Sequence, residues 1–191
     1  MFNFSEYEDV IEFKFNLDQE IDLSTLNWVQ YNPRKPINRY GCSITSLNGN
    51  DSGIPDLDSL KEFNQLHQTS FDELSFTMPT AHSEPFKSFL NTFKCGRSHY
   101  LKLENGGFFP WHRDNDQKTF RIIYTISGCE QNDLVWLEDE KLLSLRDKRW
   151  YYINTKKKHC LLSFSQSVFA VFNVVSNTSN ISKLFKLACI R

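Results

Sequence analysis

Apolar and polar residues alternate from Ile11 to Leu17 (IEFKFNL), the period of a strand with one buried face, and Cys42 to Leu47 reads as another short strand. After the loop NGNDSGIP the period lengthens. Leu57, Leu60, Phe63 and Leu66 recur at helical spacing, with Asp56 or Asp58 placed to cap the first turn. A second helix is expected from Ser83, with Pro85 in its first turn and Phe86, Phe89, Leu90 and Phe93 on one face. From about residue 98 the pattern is almost wholly strand: HYLKLEN, FRIIYTIS, DLVWLED, KLLSL, RWYYIN, HCLLSFS, VFAVFNVV and SKLFKLACI. Turn residues such as Asn105-Gly106-Gly107 and Ser127-Gly128 separate them.

Short strands following two helices predict a mainly β fold: a double-stranded β-helix, or cupin-like jelly roll, with two helices packed on the outer face of one sheet. FRIIYTIS sharpens this expectation. Phe120, Ile122, Tyr124 and Ile126 form one face, to lie under the helices, while Arg121, Ile123 and Thr125 point into the roll. A chain of 191 residues suits a single domain, 1–191, in which 1–97 give mixed strand and helix support and 98–191 carry the jelly-roll strands.

Composition leans the same way, with 15% aromatics, 17 Phe, and Ala only at positions 81, 170 and 188. Lys and Arg number 22 against 23 Asp and Glu, a net charge of −1, so no global charge draws the chain to nucleic acid or an anionic membrane. Glu6, Glu8, Asp9 and Glu12 interrupt the N-terminal stretch where a signal peptide needs an apolar run, and no window of about 20 apolar residues exists. A cytoplasmic setting is expected. The cysteines Cys42, Cys95, Cys129, Cys160 and Cys189 are odd in number, dispersed, and read as reduced thiols.

Candidate chemistry concentrates in YLKLENGGFFPWHRDN. His112 and Asp114 stand two apart, so on an extended segment both side chains leave one face, their Cα atoms about 7 Å apart. His159 opens the strand HCLLSFS, 45 residues after Asp114, with room for intervening strands to bring the chain back beside the first. Two His and one carboxylate on one side of a metal form the facial triad of non-haem Fe(II) oxygenases, which leaves positions open for cosubstrate and oxygen.

With these residues the stretch from about Tyr100 to Val175 resembles the Fe(II)/2-oxoglutarate-dependent dioxygenases, in particular the branch of aspartyl/asparaginyl β-hydroxylases and free-proline hydroxylases. The likeness includes a Tyr/Leu strand and Gly turn before HRD, the Arg after it, an aromatic strand ending at Asn154, and His159. It implies Fe(II) held by His112, Asp114 and His159, and 2-oxoglutarate contacted by Arg121, nine residues after His112. A guanidinium suits that role because it pairs bidentately with a carboxylate and stays charged when buried. The implied reaction hydroxylates an amino acid, a peptide or protein side chain, or a small metabolite, with succinate and CO2 as co-products. The family usually carries a second basic residue about ten positions after the distal His; here Phe169 stands there, which leaves Arg121, aided by Tyr100, Lys102, Arg146 or Arg149, to anchor the cosubstrate.

Trp111, Phe109, Trp136, Trp150 and Tyr152 are the expected wall of the site. Asn154 orients His159, lines the pocket or caps a turn; His67 reads as an exposed helix residue, His82 as a loop residue before Ser83, His99 as a strand start near the site. Arg39-Tyr40-Gly41 reads as a turn and strand start, with a substrate or cosubstrate contact as the alternative, and Lys156-Lys157-Lys158 as a solvated turn, with attraction of an acidic substrate as the alternative. Two other readings stand beside the oxygenase: a cupin-like metal-dependent oxygenase or isomerase without 2-oxoglutarate, and a non-catalytic jelly-roll binding module. Substrate contacts are expected from loops and the N-terminal half, where no motif is readable.

Overall fold

A computed structural model describes residues 9–32, 37–51, 57–114, 118–131, 133–136, 141–143 and 145–188. β1 (Val10–Phe13), β2 (Val29–Gln30), β3 (Arg39–Ser43) and β4 (Thr45–Ser46) precede helix α1 (Leu60–His67). β5 (Met78–Pro79) leads through a 3-10 turn, Ala81–Phe86, into α2 (Lys87–Thr92). Eight strands follow: β6 (Cys95–Leu103), β7 (Phe108–His112), β8 (Thr119–Ser127), β9 (Asp133–Trp136), β10 (Lys141–Leu143), β11 (Trp150–Ile153), β12 (His159–Leu162) and β13 (Ser167–Val175), then helix α3 (Thr178–Ala188).

The larger sheet runs β1-β11-β8-β13-β6-β3-β2 and the smaller β10-β9-β12-β7, with every pairing antiparallel. Strands β6 to β13 are thus dealt between two sheets, β11-β8-β13-β6 against β10-β9-β12-β7. That order is a double-stranded β-helix, the jelly roll expected from the strand pattern. Alternation along β8 divides the interior in two. Phe120, Ile122 and Tyr124 join Phe86, Phe89, Phe93, Trp150 and Phe172 in an outer core, where Phe89 stacks on Trp150 at 4.5 Å and Phe86 meets Phe172 edge-on at 4.9 Å. Ile123 turns the other way, into a second core between the sheets with Leu101, Leu103, Tyr151, Ile153, Phe169 and Val171. Gly128 takes φ 72° at the end of β8, and a β-carbon there would overlap the Gln166 carbonyl oxygen.

The helices depart from expectation in three ways. SKLFKLACI, expected as a strand, is helical over its described part, Ser182 to Ala188, in α3: Asn177 Oδ1 accepts the Asn180 N–H at 2.9 Å, and Ile181, Leu184 and Phe185, spaced i, i+3, i+4, pack into the outer core. Cover over the larger sheet therefore comes from α2 and α3. α1 has no fully buried side chain, and its cap position is Ser59; Asp58 instead accepts the Ser59 N–H while its carbonyl takes a hydrogen bond from Arg97. Asp56 lies outside the described residues. The second helix starts earlier than Ser83, at Thr80, whose hydroxyl accepts the His82 N–H, and it winds as 3-10 through Pro85 before α2 begins. Asn177→Ala is expected to cost about 1 kcal/mol through loss of the α3 cap, read as a lower urea midpoint at unchanged slope. Among the described residues no helix is long and apolar enough to cross a membrane.

Candidate metal centre

His112 ends β7 and His159 begins β12, and the register pairs them directly, with ring centroids 4.2 Å apart. Asp114 follows past the strand end, fixed by its N–H to the Thr155 carbonyl at 2.9 Å. One ligand atom from each of the three lies within 4.8 Å of the others. Both imidazoles are oriented by backbone: His112 Nδ1 lies 2.6 Å from Pro110 O and His159 Nδ1 2.9 Å from Lys157 O. A carbonyl can only accept, so in each ring Nδ1 carries the proton and Nε2 is the donor atom for a cation.

Asp114 is the electrostatic hub. Its Oδ2 accepts from Arg121 Nε at 2.8 Å while Oδ1 stands 3.7 Å from His112 Nε2. Burial pushes the Asp114 carboxyl up, but Arg121, with smaller help from the two His, outweighs it and holds the group well below the usual carboxylate range. Burial lowers His159, which keeps it neutral and able to ligate near pH 7. A polar floor extends from Arg121. Across the β8–β13 pairing sits Asn173, which donates to Glu73, and Glu73 holds Arg97 through two hydrogen bonds of 2.7 and 2.9 Å. Two arginines thus meet two carboxylates beneath the site.

Among solved structures the chain is similar to an oxidoreductase of the 2OG-Fe(II) oxygenase family from Burkholderia pseudomallei, at 12% identity over 81% of this chain and 74% of that one, TM-score 0.45. It is also similar to a prolyl hydroxylase from Trichoplax adhaerens, in complex with a hypoxia inducible factor oxygen degradation domain peptide, at 9% identity over 83% and 74%, TM-score 0.43. Likeness to the polyketide cyclase RemF from Streptomyces resistomycificus, at 15% identity and TM-score 0.35, covers 41% of this chain and 53%, about half, of that one. No protein-family model and no curated protein matches the sequence. Strand order and register define the fold, and the side chains themselves define the site.

Beside the three clustered residues a cavity opens between the sheets, lined by Arg121, Ile123, Phe169 and Val171 from the larger sheet and Phe109 and Leu161 from the smaller. Arg121 therefore reaches the site as expected, and its buried Nη1 has no hydrogen-bond partner among the described residues. Tyr100 does not. On β6 the inward side chains are His99, Leu101 and Leu103, so Tyr100 points into the outer core and its hydroxyl donates to His82 O at 3.0 Å. The remaining expected helpers also lie elsewhere: Lys102 sits over the Trp28 and Tyr40 rings, and Arg146 and Arg149 pair with Glu12. Of the expected wall only Phe109 lines the cavity. Trp150 and Tyr152 belong to the outer core, Trp111 is 42% exposed, and the Trp136 side chain lies outside the described residues. Asn154 caps the turn after β11, accepting the Lys156 N–H at 3.3 Å.

Of the further residues that line the cavity, Tyr31 is not singled out by the sequence and His99 reads there as a strand start near the site. Their rings lie 5.3 Å apart, and burial, with Arg97 and Arg121 nearby, drives the His99 pKa well below its ordinary value. Arg39 opens β3, the strand start expected there, on the inward face opposite Leu103 and against the lining residues Tyr31 and Phe109. Its guanidinium lies 4.0 Å from the Phe109 ring centroid and 5.5 Å from that of Tyr31. Only 5% of the residue is exposed, Nε has no hydrogen-bond partner, and among the described residues no carboxylate pairs with it. Alternation along β3 was the available signal: Arg39, Gly41 and Ser43 share a face with the cavity.

Proposed function

We propose that the chain is an Fe(II)- and 2-oxoglutarate-dependent dioxygenase that hydroxylates an amino acid, a peptide or protein side chain, or a small metabolite. The observation that carries this reading is the convergence of two backbone-oriented imidazoles and one Arg-held carboxylate at an apolar cavity. Two nitrogens and one oxygen are the donor set Fe(II) takes in such sites, so His112, Asp114 and His159 would hold the metal. When bound, iron with 2-oxoglutarate and O2 supplies the oxidation of C–H to C–OH, and the cosubstrate leaves as succinate and CO2.

The chain's own residues supply binding and enclosure. Arg121 keeps Asp114 anionic and turns its unpartnered Nη1 to a cosubstrate carboxylate. Ile123, Phe169, Val171 and Leu161 keep bulk water from the reacting centre. A dicarboxylate needs a second cation, and Arg39 is our assignment for it: buried, charged, without a carboxylate, and on the same interior face as Phe169, where the family's basic residue stands. The spacing of His112, Asp114, Arg121 and His159 is what supports our reading of the β-hydroxylase and proline-hydroxylase branch, and we take residues 1–191 as one domain.

Phe169 favours the second reading, a metal-dependent oxygenase or isomerase without 2-oxoglutarate. Iron-loaded protein incubated with 2-oxoglutarate in air decides between them. Succinate formation above the protein-free rate is expected. Bound iron without succinate overturns the 2-oxoglutarate reading in favour of the second, and failure to bind Fe(II), Mn(II) or Ni(II) leaves a binding module.

A further inference from the structure

On the opposite face of the larger sheet, behind the cavity, a second set of cation-binding side chains converges. Cys42 comes from β3, Asp51 from the connection after β4, and His82 from the 3-10 turn before α2; one ligand atom of each lies within 4.8 Å of the others. Cys42 leaves β3 on the side away from Arg39 and Gly41, beside Tyr100, so nothing in the oxygenase site uses it. Its neighbours are held in place. Thr80 anchors the turn by donating its hydroxyl to Ser43 O at 2.7 Å and accepting the His82 N–H, while Tyr100 donates to His82 O. His82 Nε2 lies 2.9 Å from Asp51 Oδ2.

Cysteine beside a His–Asp pair has the composition of a nucleophilic triad, but the surroundings oppose that chemistry. The residue is fully buried, and burial, then the Asp51 carboxylate, pushes the thiol up to about 12, away from the reactive thiolate. A borderline-soft divalent cation accepts this mixed sulfur, nitrogen and oxygen set. Tetrahedral bonds of zinc length put neighbouring ligand atoms about 3.3 to 3.8 Å apart, inside the spread of the cluster once the His82–Asp51 pair opens slightly.

We propose that Cys42, Asp51 and His82 form a second metal site, structural in role, that takes Zn(II) with water as fourth ligand and clamps β3, the connection after β4 and the turn before α2 together. On binding, the Cys42 S–H proton is released to solvent, His82 ligates as the neutral imidazole with its one ring proton on the nitrogen that does not coordinate, and no redox change occurs.

Co(II) is the probe, because its thiolate charge-transfer absorption in the near ultraviolet needs a sulfur ligand and the His112, Asp114, His159 cluster has none. Full-length wild type and Asp114→Ala are both expected to show the band, bleached by Zn(II) and, in Asp114→Ala, where the other cluster is disabled, saturating at one equivalent; its presence does not depend on the oxygenase reading. Cys42→Ser is expected to lose the band with far-UV circular dichroism unchanged. If that variant fails to fold, His82→Gln replaces it and is expected to weaken Co(II) at least tenfold in the same band. Absence of the band in wild type, its survival in Cys42→Ser, or unchanged Co(II) affinity in His82→Gln overturns the proposal.

Discussion

Asp114→Ala is expected to abolish succinate formation from 2-oxoglutarate and to weaken Fe(II) binding at least about 100-fold, since even an outer-shell partner of a metal ligand is commonly worth 10- to 100-fold. The fold pays as well. Arg121 and Asp114 are each only about one-fifth exposed, and the carboxylate is the acceptor for Arg121 Nε. Removing one partner of such a buried pair costs about 3 to 5 kcal/mol. The lower end is expected here because Glu73 also supports the Arg121 charge. Asp114→Asn separates chemistry from folding: its amide oxygen still accepts from Arg121, so unfolding stability should lie closer to wild type while metal binding and turnover are lost. Metal content, succinate release and urea unfolding of the two variants check this. Wild-type turnover in either variant would sink the assignment of Asp114 as a ligand.

What the sequence made legible follows from local period. β8 was readable because nine residues of strict alternation put Phe120, Ile122 and Tyr124 under helices and Arg121 and Ile123 inside, as found. His112 and Asp114 were readable for the same reason. α3 was misread because a short apolar stretch, Leu184 to Ala188 broken only by Lys186, fits a buried strand as well as a helix, while Ile181, Leu184 and Phe185 satisfy the helical period. The tie is broken by Asn177 as a cap and by the outer core that the helix covers, neither visible in the segment itself. Tyr100 was misplaced because the strand was right but its inward face was not fixed. Only the pairing of β6 with β13, Leu101 opposite Phe169, decides which residues look into the cavity. The polar floor was beyond local reading altogether, since Glu73 meets Arg97 across 24 residues and Asn173 across 100.

Arg39→Met is expected to move stability and cosubstrate binding in opposite directions. A guanidinium buried to 5% exposure with no carboxylate partner among the described residues carries an effective desolvation penalty of several kcal/mol. Stacking on Phe109 and Tyr31 returns only about 0.5 to 2 kcal/mol. Methionine fills a similar volume without the charge, so the variant without ligand should unfold at higher urea than wild type. Binding should weaken sharply, because truncating one side of a buried charge pair costs about 2 kcal/mol or more, a factor of about 30 at the least. That loss should appear in the KM for 2-oxoglutarate, with kcat and Fe(II) affinity largely kept: among the described residues Arg39 touches none of the three proposed ligands, and binding lost equally in ground and transition states raises KM alone. Arg39→Lys keeps the charge but not the planar fork, and should fall between the two. An Arg39→Met protein with unchanged KM, or with lower stability than wild type in the absence of ligand, would show that the guanidinium is held by the aromatic rings for the fold's sake and that the second carboxylate is bound elsewhere.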